Sequence, residues 1–141
     1  MKKSPPPRVP VEALLSEAAA PLGLRLVGGK AGLRNPIDRS RVQRPGLALT
    51  GFTRYLSPGR VQILGGSESS YLRTLSVKQR AAVLRRLMAR ELCCVVVTRG
   101  LEVPPELRRE SDARGIPVLA TALDSTPFIR RLTEFLEDRL A

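Results

Sequence analysis

Histidine and tryptophan are absent from this 141-residue chain, and aromatic residues make up only 4% of it. Without histidine, no side chain has an ordinary pKa near neutrality, so the usual general base is missing. No Ser-His-Asp or Cys-His arrangement can be assembled, and a zinc site lacks ligands. The two cysteines, Cys93 and Cys94, are adjacent inside an apolar run. Neighbouring strand residues point to opposite faces, so both read as reduced, buried thiols of a cytosolic protein. No apolar run approaches the roughly 18 residues that cross a bilayer. Lys2 and Lys3 are followed by three prolines at residues 5–7, where a secretory signal needs an apolar stretch. The expectation is a cytoplasmic protein without a membrane partner.

What is present suits one globular domain. The hydrophobic share is 43%, and the length is enough to bury a core of Leu, Val, Ile and Ala. Residues 1–10 read as a disordered Pro-rich tail and residues 11–141 as a single domain. Leu14, Leu15, Ala18 and Ala19 predict a helix over residues 10–20, ended by Pro21 and Gly23. A strand is expected over 24–27, stopping at Gly28-Gly29, and a weaker one over 37–42. Residues 47–51 read as a short helix with Pro45 near its first turn. Residues 61–64 read as a buried strand. Ser67 is expected to cap a short helix, and Ser76 a longer one from 77 to about 91. The apolar run at 93–98 is the clearest strand, of the kind buried on both faces. Pro104-Pro105 opens a helix ending at Gly115, residues 116–120 form a strand, and Ser125 caps a last helix to Leu140. This alternation predicts an α/β fold: a three-layer-like sandwich with a mainly parallel sheet flanked by helices.

The net charge of +11 admits nucleic acid, an acidic protein or an anionic surface as partner. Arg far outnumbers Lys, the charge never forms a block of five, and few aromatics are available to stack bases. Nucleic acid is therefore the lesser expectation. Gly28-Gly29-Lys30-Ala31-Gly32 lacks the spacing and the hydroxyl of a phosphate loop and reads as a turn. Gly65-Gly66-Ser67-Glu68-Ser69 stands between a strand and a helix, where backbone amides can face an anion. Thr98, Arg99 and Gly100 follow the central strand at its carboxyl end, the edge where ligands collect in open α/β sheets. Arg44 precedes a Pro-Gly turn. Glu68, Glu102 and Asp124 each sit at a helix start, where a carboxylate complements the dipole, so they do not argue for an enzyme.

Four stretches together carry a family pattern: RPGLALTGF at 44–52, RVQILG at 60–65, VVVTRGLEVPPEL at 95–107 and GIPVL at 115–119. They resemble the N-terminal domain of bacterial HPr kinase/phosphorylase, as do TPFI at 126–129 and the last residues, 136–141. The resemblance implies a fold similar to the Mur ligase N-terminal (uridine-nucleotide-binding) domain. It also implies a bifunctional parent enzyme, which phosphorylates a serine of the phosphocarrier HPr with ATP or pyrophosphate and reverses the step, in carbon catabolite control. Its phosphate-binding loop, ATP and Mg belong to a separate catalytic domain, expected beyond Ala141. No catalytic, cofactor or metal residue is therefore carried over to this chain, which alone is expected to be inactive. HPr is expected to be met through that catalytic domain, and the full-length enzyme to be a homo-oligomer. The leading reading is a non-catalytic regulatory or assembly domain. The alternatives are a stand-alone nucleic-acid-binding module and a small anionic-metabolite sensor. Candidate ligand or partner contacts are Arg44, Gly46, Gly51, Ser67, Thr98, Arg99 and Gly100.

Overall fold

A computed structural model describes residues 6–141 of the chain. The main sheet has the order β2-β6-β5-β4, formed by β2 (Leu24–Gly28), β4 (Gln62–Leu64), β5 (Val95–Val97) and β6 (Val118–Thr121). β4, β5 and β6 are parallel, in the register Ile63–Val96–Leu119. The helices that follow β4 and β5 return the chain to the same edge, as parallel pairing requires. β2 runs antiparallel to β6, with Leu24 opposite Thr121. The sheet is thus mixed: three of its four strands are parallel, and β2 at one edge is the antiparallel exception that the expectation did not include. β2 and β6 are far apart in sequence and no single crossover joins them, so the strand–helix alternation does not set their relative direction.

Helices cover both faces. α5 (Ser125–Leu140) lies on one side, and α1 (Gly46–Leu49), α2 (Gly66–Thr74), α3 (Val77–Met88) and α4 (Pro105–Arg114) belong to the other. Strand alternation divides the core accordingly: Val96 joins the cluster with Ile63, Leu119 and Phe128, while Val95 and Val97 join Leu84, Leu87 and Leu107. Phe128, Leu132 and Leu136 recur every four residues and are all fully buried, which fixes the inner face of α5. Ser76 caps α3 as expected. Its Oγ accepts from the Gln79 amide at 3.1 Å, and Gln79 Oε1 accepts from the Ser76 amide at 3.0 Å.

Three elements depart from expectation. Residues 1–5 of the expected tail lie outside the described residues, but Val9–Pro10 is an ordered strand, β1, antiparallel to β3 (Pro36–Ile37), and Val9 is buried. The first helix is two 3-10 segments, Val11–Leu15 and Glu17–Leu22, separated by extended Ser16. The amides of Val11 and Glu12 bond to the Asn35 and Leu33 carbonyls, and the buried pairs Val11/Leu14 and Ala19/Leu22 keep a three-residue spacing. The strand expected over 37–42 is confined to β3, because the charged residues Asp38, Arg39 and Arg41 are exposed; Gln43 resumes pairing as a single parallel bridge to Gln62.

Candidate functional site

The loops leaving β4, β5 and β6 meet at the carboxyl edge of the parallel strands. There they enclose an open groove of about 510 Å³, walled by Arg44, Gly66, Ser67, Arg99, Asp124 and Ser125. The two arginines singled out in the sequence therefore converge, although they come from separate loops.

Each cation is held in place. Arg44 Nη2 stands 3.7 Å from Glu68 Oε1, and the same oxygen accepts from the Gly65 amide at 2.6 Å. Glu68 is 6% exposed, so this carboxylate is a floor beneath the groove and a partner for a half-exposed guanidinium. Arg99 adopts a left-handed backbone, φ 63°, unusual for a residue with a side chain. Its amide donates to the Leu123 carbonyl at 2.8 Å and the Gly100 amide to the Thr121 carbonyl at 3.0 Å, which hold that conformation against its cost. Arg99 Nε reaches Asp124 Oδ1 at 3.9 Å, both groups largely exposed.

Two helix starts face the same space. α2 begins at Gly66 after Gly65, so Ser67 occupies its second position and is not the cap expected from sequence. α5 begins at Ser125 after Asp124, whose side chain makes no capping bond. The first amides of a helix have no partner within it and carry partial positive charge. A β-carbon at Gly65 would stand 2.7 Å from Arg44 Nη2 and from Ser125 Oγ, and one at Gly66 would collide with Arg99 Nη1. The missing side chains thus let both guanidinium groups approach the backbone of the turn.

The remaining candidates lie elsewhere. Thr98 is fully buried below the groove, its Oγ1 2.6 Å from Ser125 Oγ, so it positions Ser125 and does not line the surface. A β-carbon at Gly100 would meet nothing within 4 Å. Gly46 borders Glu68, and Gly51 lies under Arg86 of α3. Asp124, Ser125 and Gly66 complete the groove; Gly66 lies in the stretch read from sequence as able to face an anion, whereas Asp124 and Ser125 were read only as helix-start residues and their convergence marks them out. The turn reading of residues 28–32 holds. β-Carbons at Gly29 and Gly32 would run into the carbonyls of Ile116 and Gly115, so these glycines permit close packing of backbones.

Cys93 and Cys94 are free and buried. A hydrogen bond with Cys93, then burial, pushes the Cys94 thiol well above its ordinary range. A folded-state pKa raised in this way favours the protonated native form. Stability is therefore expected to fall once pH passes the unfolded thiol's value near 8.5, by up to about 1.4 kcal/mol per pH unit from this group. Urea melts from pH 7 to 10 check this, and Cys94→Ala should flatten the slope. Among the described residues, no three His, Cys, Asp or Glu side chains are placed to hold a metal ion, and no helix is long and apolar enough to cross a membrane.

Fold and groove together define an α/β domain with helices on both faces of a mixed sheet and a polar cleft at its carboxyl edge. The family model described as HPr Serine kinase N terminus matches residues 9–136, and the chain belongs to that family. It is 43% identical over 130 residues to an HPr kinase/phosphorylase of Geobacter sulfurreducens, covering 92% of this chain and 41% of the relative. It is 40% identical over 118 residues to the HPr kinase/phosphorylase of Bacillus mycoides, covering 84% of this chain and 38% of the relative. The chain thus spans about two-fifths of the length of these relatives. Among solved structures, the CBS and DRTGG domains of the regulatory region of Clostridium perfringens pyrophosphatase align with a TM-score of 0.58 at 17% identity. That alignment covers 87% of this chain and 48% of the other, and it shows the fold alone.

Proposed function

We propose that this chain is the non-catalytic regulatory part of an HPr kinase/phosphorylase, and that its carboxyl-edge groove senses a small anionic metabolite. The parent activity would be the ATP- or pyrophosphate-dependent phosphorylation of a serine of HPr and its reversal, in carbon catabolite control in the cytoplasm. ATP, Mg and the catalytic groups would reside in a further domain. Contact with HPr would be made there, and assembly would proceed through the full-length homo-oligomer.

The observation that carries this reading is the convergence of Arg44 and Arg99 on one groove with the first turns of α2 and α5. Guanidinium groups bind phosphate and carboxylate oxygens in a bidentate manner, and helix-start amides add donors of matching polarity. The other polar groups of the groove are the hydroxyls of Ser67, Ser70, Ser125 and Thr126 and the Asp124 carboxylate, and the hydroxyls add donors around a bound anion. Asp124, exposed beside Arg99, would swing aside for the ligand. The fold neighbour supports a regulatory role in kind, since its crystal is of a regulatory region complexed with an activator, diadenosine tetraphosphate.

Thermal melts of the chain with ATP, pyrophosphate, fructose bisphosphate, uridine nucleotides and HPr test the proposal; the uridine nucleotides also test the Mur-ligase likeness. One of the anions should raise the melting temperature saturably, by an amount equivalent to about 2.7 kcal/mol at a hundred times Kd. Arg44→Ala and Arg99→Ala should each remove the shift. Gly66→Ala should do so as well, by displacing the Arg99 guanidinium, while leaving the unliganded melt within about 1 kcal/mol of the parent chain. A flat panel, or a shift that survives both arginine changes, overturns the sensor reading and leaves assembly.

A further inference from the structure

The positive charge is segregated in the folded chain. Residues 39–90 contain eleven Lys and Arg and one acid, Glu68, which is buried against Arg44. The remaining 89 residues contain thirteen basic and twelve acidic side chains. Nearly all of the net charge therefore belongs to the stretch that forms β4, the edge strand of the sheet, and the helices α1–α3 beside it.

Among the described residues, the same stretch carries three of the four large hydrophobic side chains left exposed: Leu47 at 57%, Phe52 at 52% and Val77 at 67%. Leu47 lies on α1, which packs against α3. Phe52 lies just beyond α1, stacked on Tyr55 with ring centroids 6.1 Å apart. The Arg86 guanidinium lies over Gly51, 3.3 Å from where a β-carbon would stand, and so borders Phe52 on the α3 side. Arg54, two residues beyond Phe52, is exposed, as are Arg85 on α3 and Arg90 just after it. An apolar centre rimmed by cations is the arrangement in which charge steers a partner and an apolar anchor holds it.

We propose that this α1–α3 face docks an acidic protein surface that places an apolar side chain against Leu47 and Phe52. Charge complementarity selects the occupant. A second copy of the chain is the poorer occupant, because this face would repel its own kind and the rest of the chain carries no acidic excess, twelve acids against thirteen bases. Nucleic acid fits less well, since one face of the exposed ring is already covered by Tyr55 and no second exposed aromatic stands beside it to stack bases. The face adjoins the anion groove, since the Arg44 carbonyl accepts from the Tyr55 hydroxyl at 3.0 Å, but the Arg44 and Arg99 side chains line the groove.

Fluorescence anisotropy of the full chain tests this with a short labelled peptide alternating Glu with Leu and Phe, and a second peptide with Ser in place of Leu and Phe. The apolar peptide should bind more tightly by about fivefold or more, and lose affinity as salt rises. Phe52→Ser should abolish the difference between the peptides, and R86E with R90E should weaken both by about tenfold or more. The same charge change placed on α4 and α5, R109E with R130E, should leave binding within about twofold. Equal loss in that control, indifference to Phe52→Ser, or no binding at low salt overturns the proposal. So does tighter binding of polyuridylate, or of phosphatidylserine-containing vesicles, that the R86E/R90E pair removes. Either result would assign the face to nucleic acid or to a membrane surface.

Discussion

Replacing Phe128 by Ala is expected to destabilise the domain by about 3–5 kcal/mol, the largest loss available from one side chain here. The sequence places Phe128 on the inner face of α5, at helical spacing from Leu132 and Leu136, and all three have no exposed surface. The ring lies in the cluster formed by Ile63, Val96 and Leu119, one residue from each parallel strand. Truncation removes the transfer energy of a phenyl group. It also leaves a cavity between α5 and three strands that hydrogen bonding holds in register, so collapse into the space is limited. Urea unfolding measures the effect as a fall in the midpoint at unchanged slope. Phe135, on the same helix but only partly buried and covered by the Arg139 guanidinium at 4.5 Å, is the internal comparison. Its truncation should cost less than half as much, and a loss below about 1 kcal/mol for Phe128→Ala would refute the burial argument.

Gly29→Ala is the second large effect, expected at about 3 kcal/mol or more, with low soluble yield as its visible sign. Two independent penalties add at this residue. Its φ of 75° is a left-handed conformation that a β-carbon disfavours, and that β-carbon would run into the Ile116 carbonyl. The Gly29 amide is also committed, donating to Asp112 Oδ1 of α4 at 2.8 Å. The carbonyl belongs to the segment entering β6 and has little freedom to retreat. Gly66→Ala provides the contrast, because the group in its way is the flexible end of Arg99. One glycine pair thus secures packing and the other keeps a cationic groove open, although both sit in Gly-Gly turns after a strand. Equal stability losses in the two variants would remove this distinction.

Much of the architecture was legible in the sequence, because it follows from local pattern. The apolar run around Val95–Val97, the Ser76–Gln79 capping box and the Gly115 stop are each specified by residues within a few positions of one another. The family pattern at 44–52, 60–65 and 95–107 was equally legible, and so were Arg44 and Arg99 as candidates at the ends of turns. The absence of histidine, visible in the sequence, excludes the catalytic arrangements that need one.

Other features depended on residues distant in the chain. The antiparallel setting of β2 was decided by its pairing with β6, with no crossover to impose a direction. The break of the first helix into two 3-10 segments reflects carbonyls of Leu33 and Asn35 competing for its opening amides, which periodicity does not register. The meeting of Arg44, Arg99 and two helix starts in one groove required the fold to bring four chain segments to one edge, those before α1 and after β4, β5 and β6. Likewise, the excess of positive charge in residues 39–90 is written along the chain, but folding decides which of those cations stand beside Leu47 and Phe52. Local elements are set by short-range sterics, spacing and caps, all written along the chain. Convergence of sites is set by packing between layers, which is a property of the whole core.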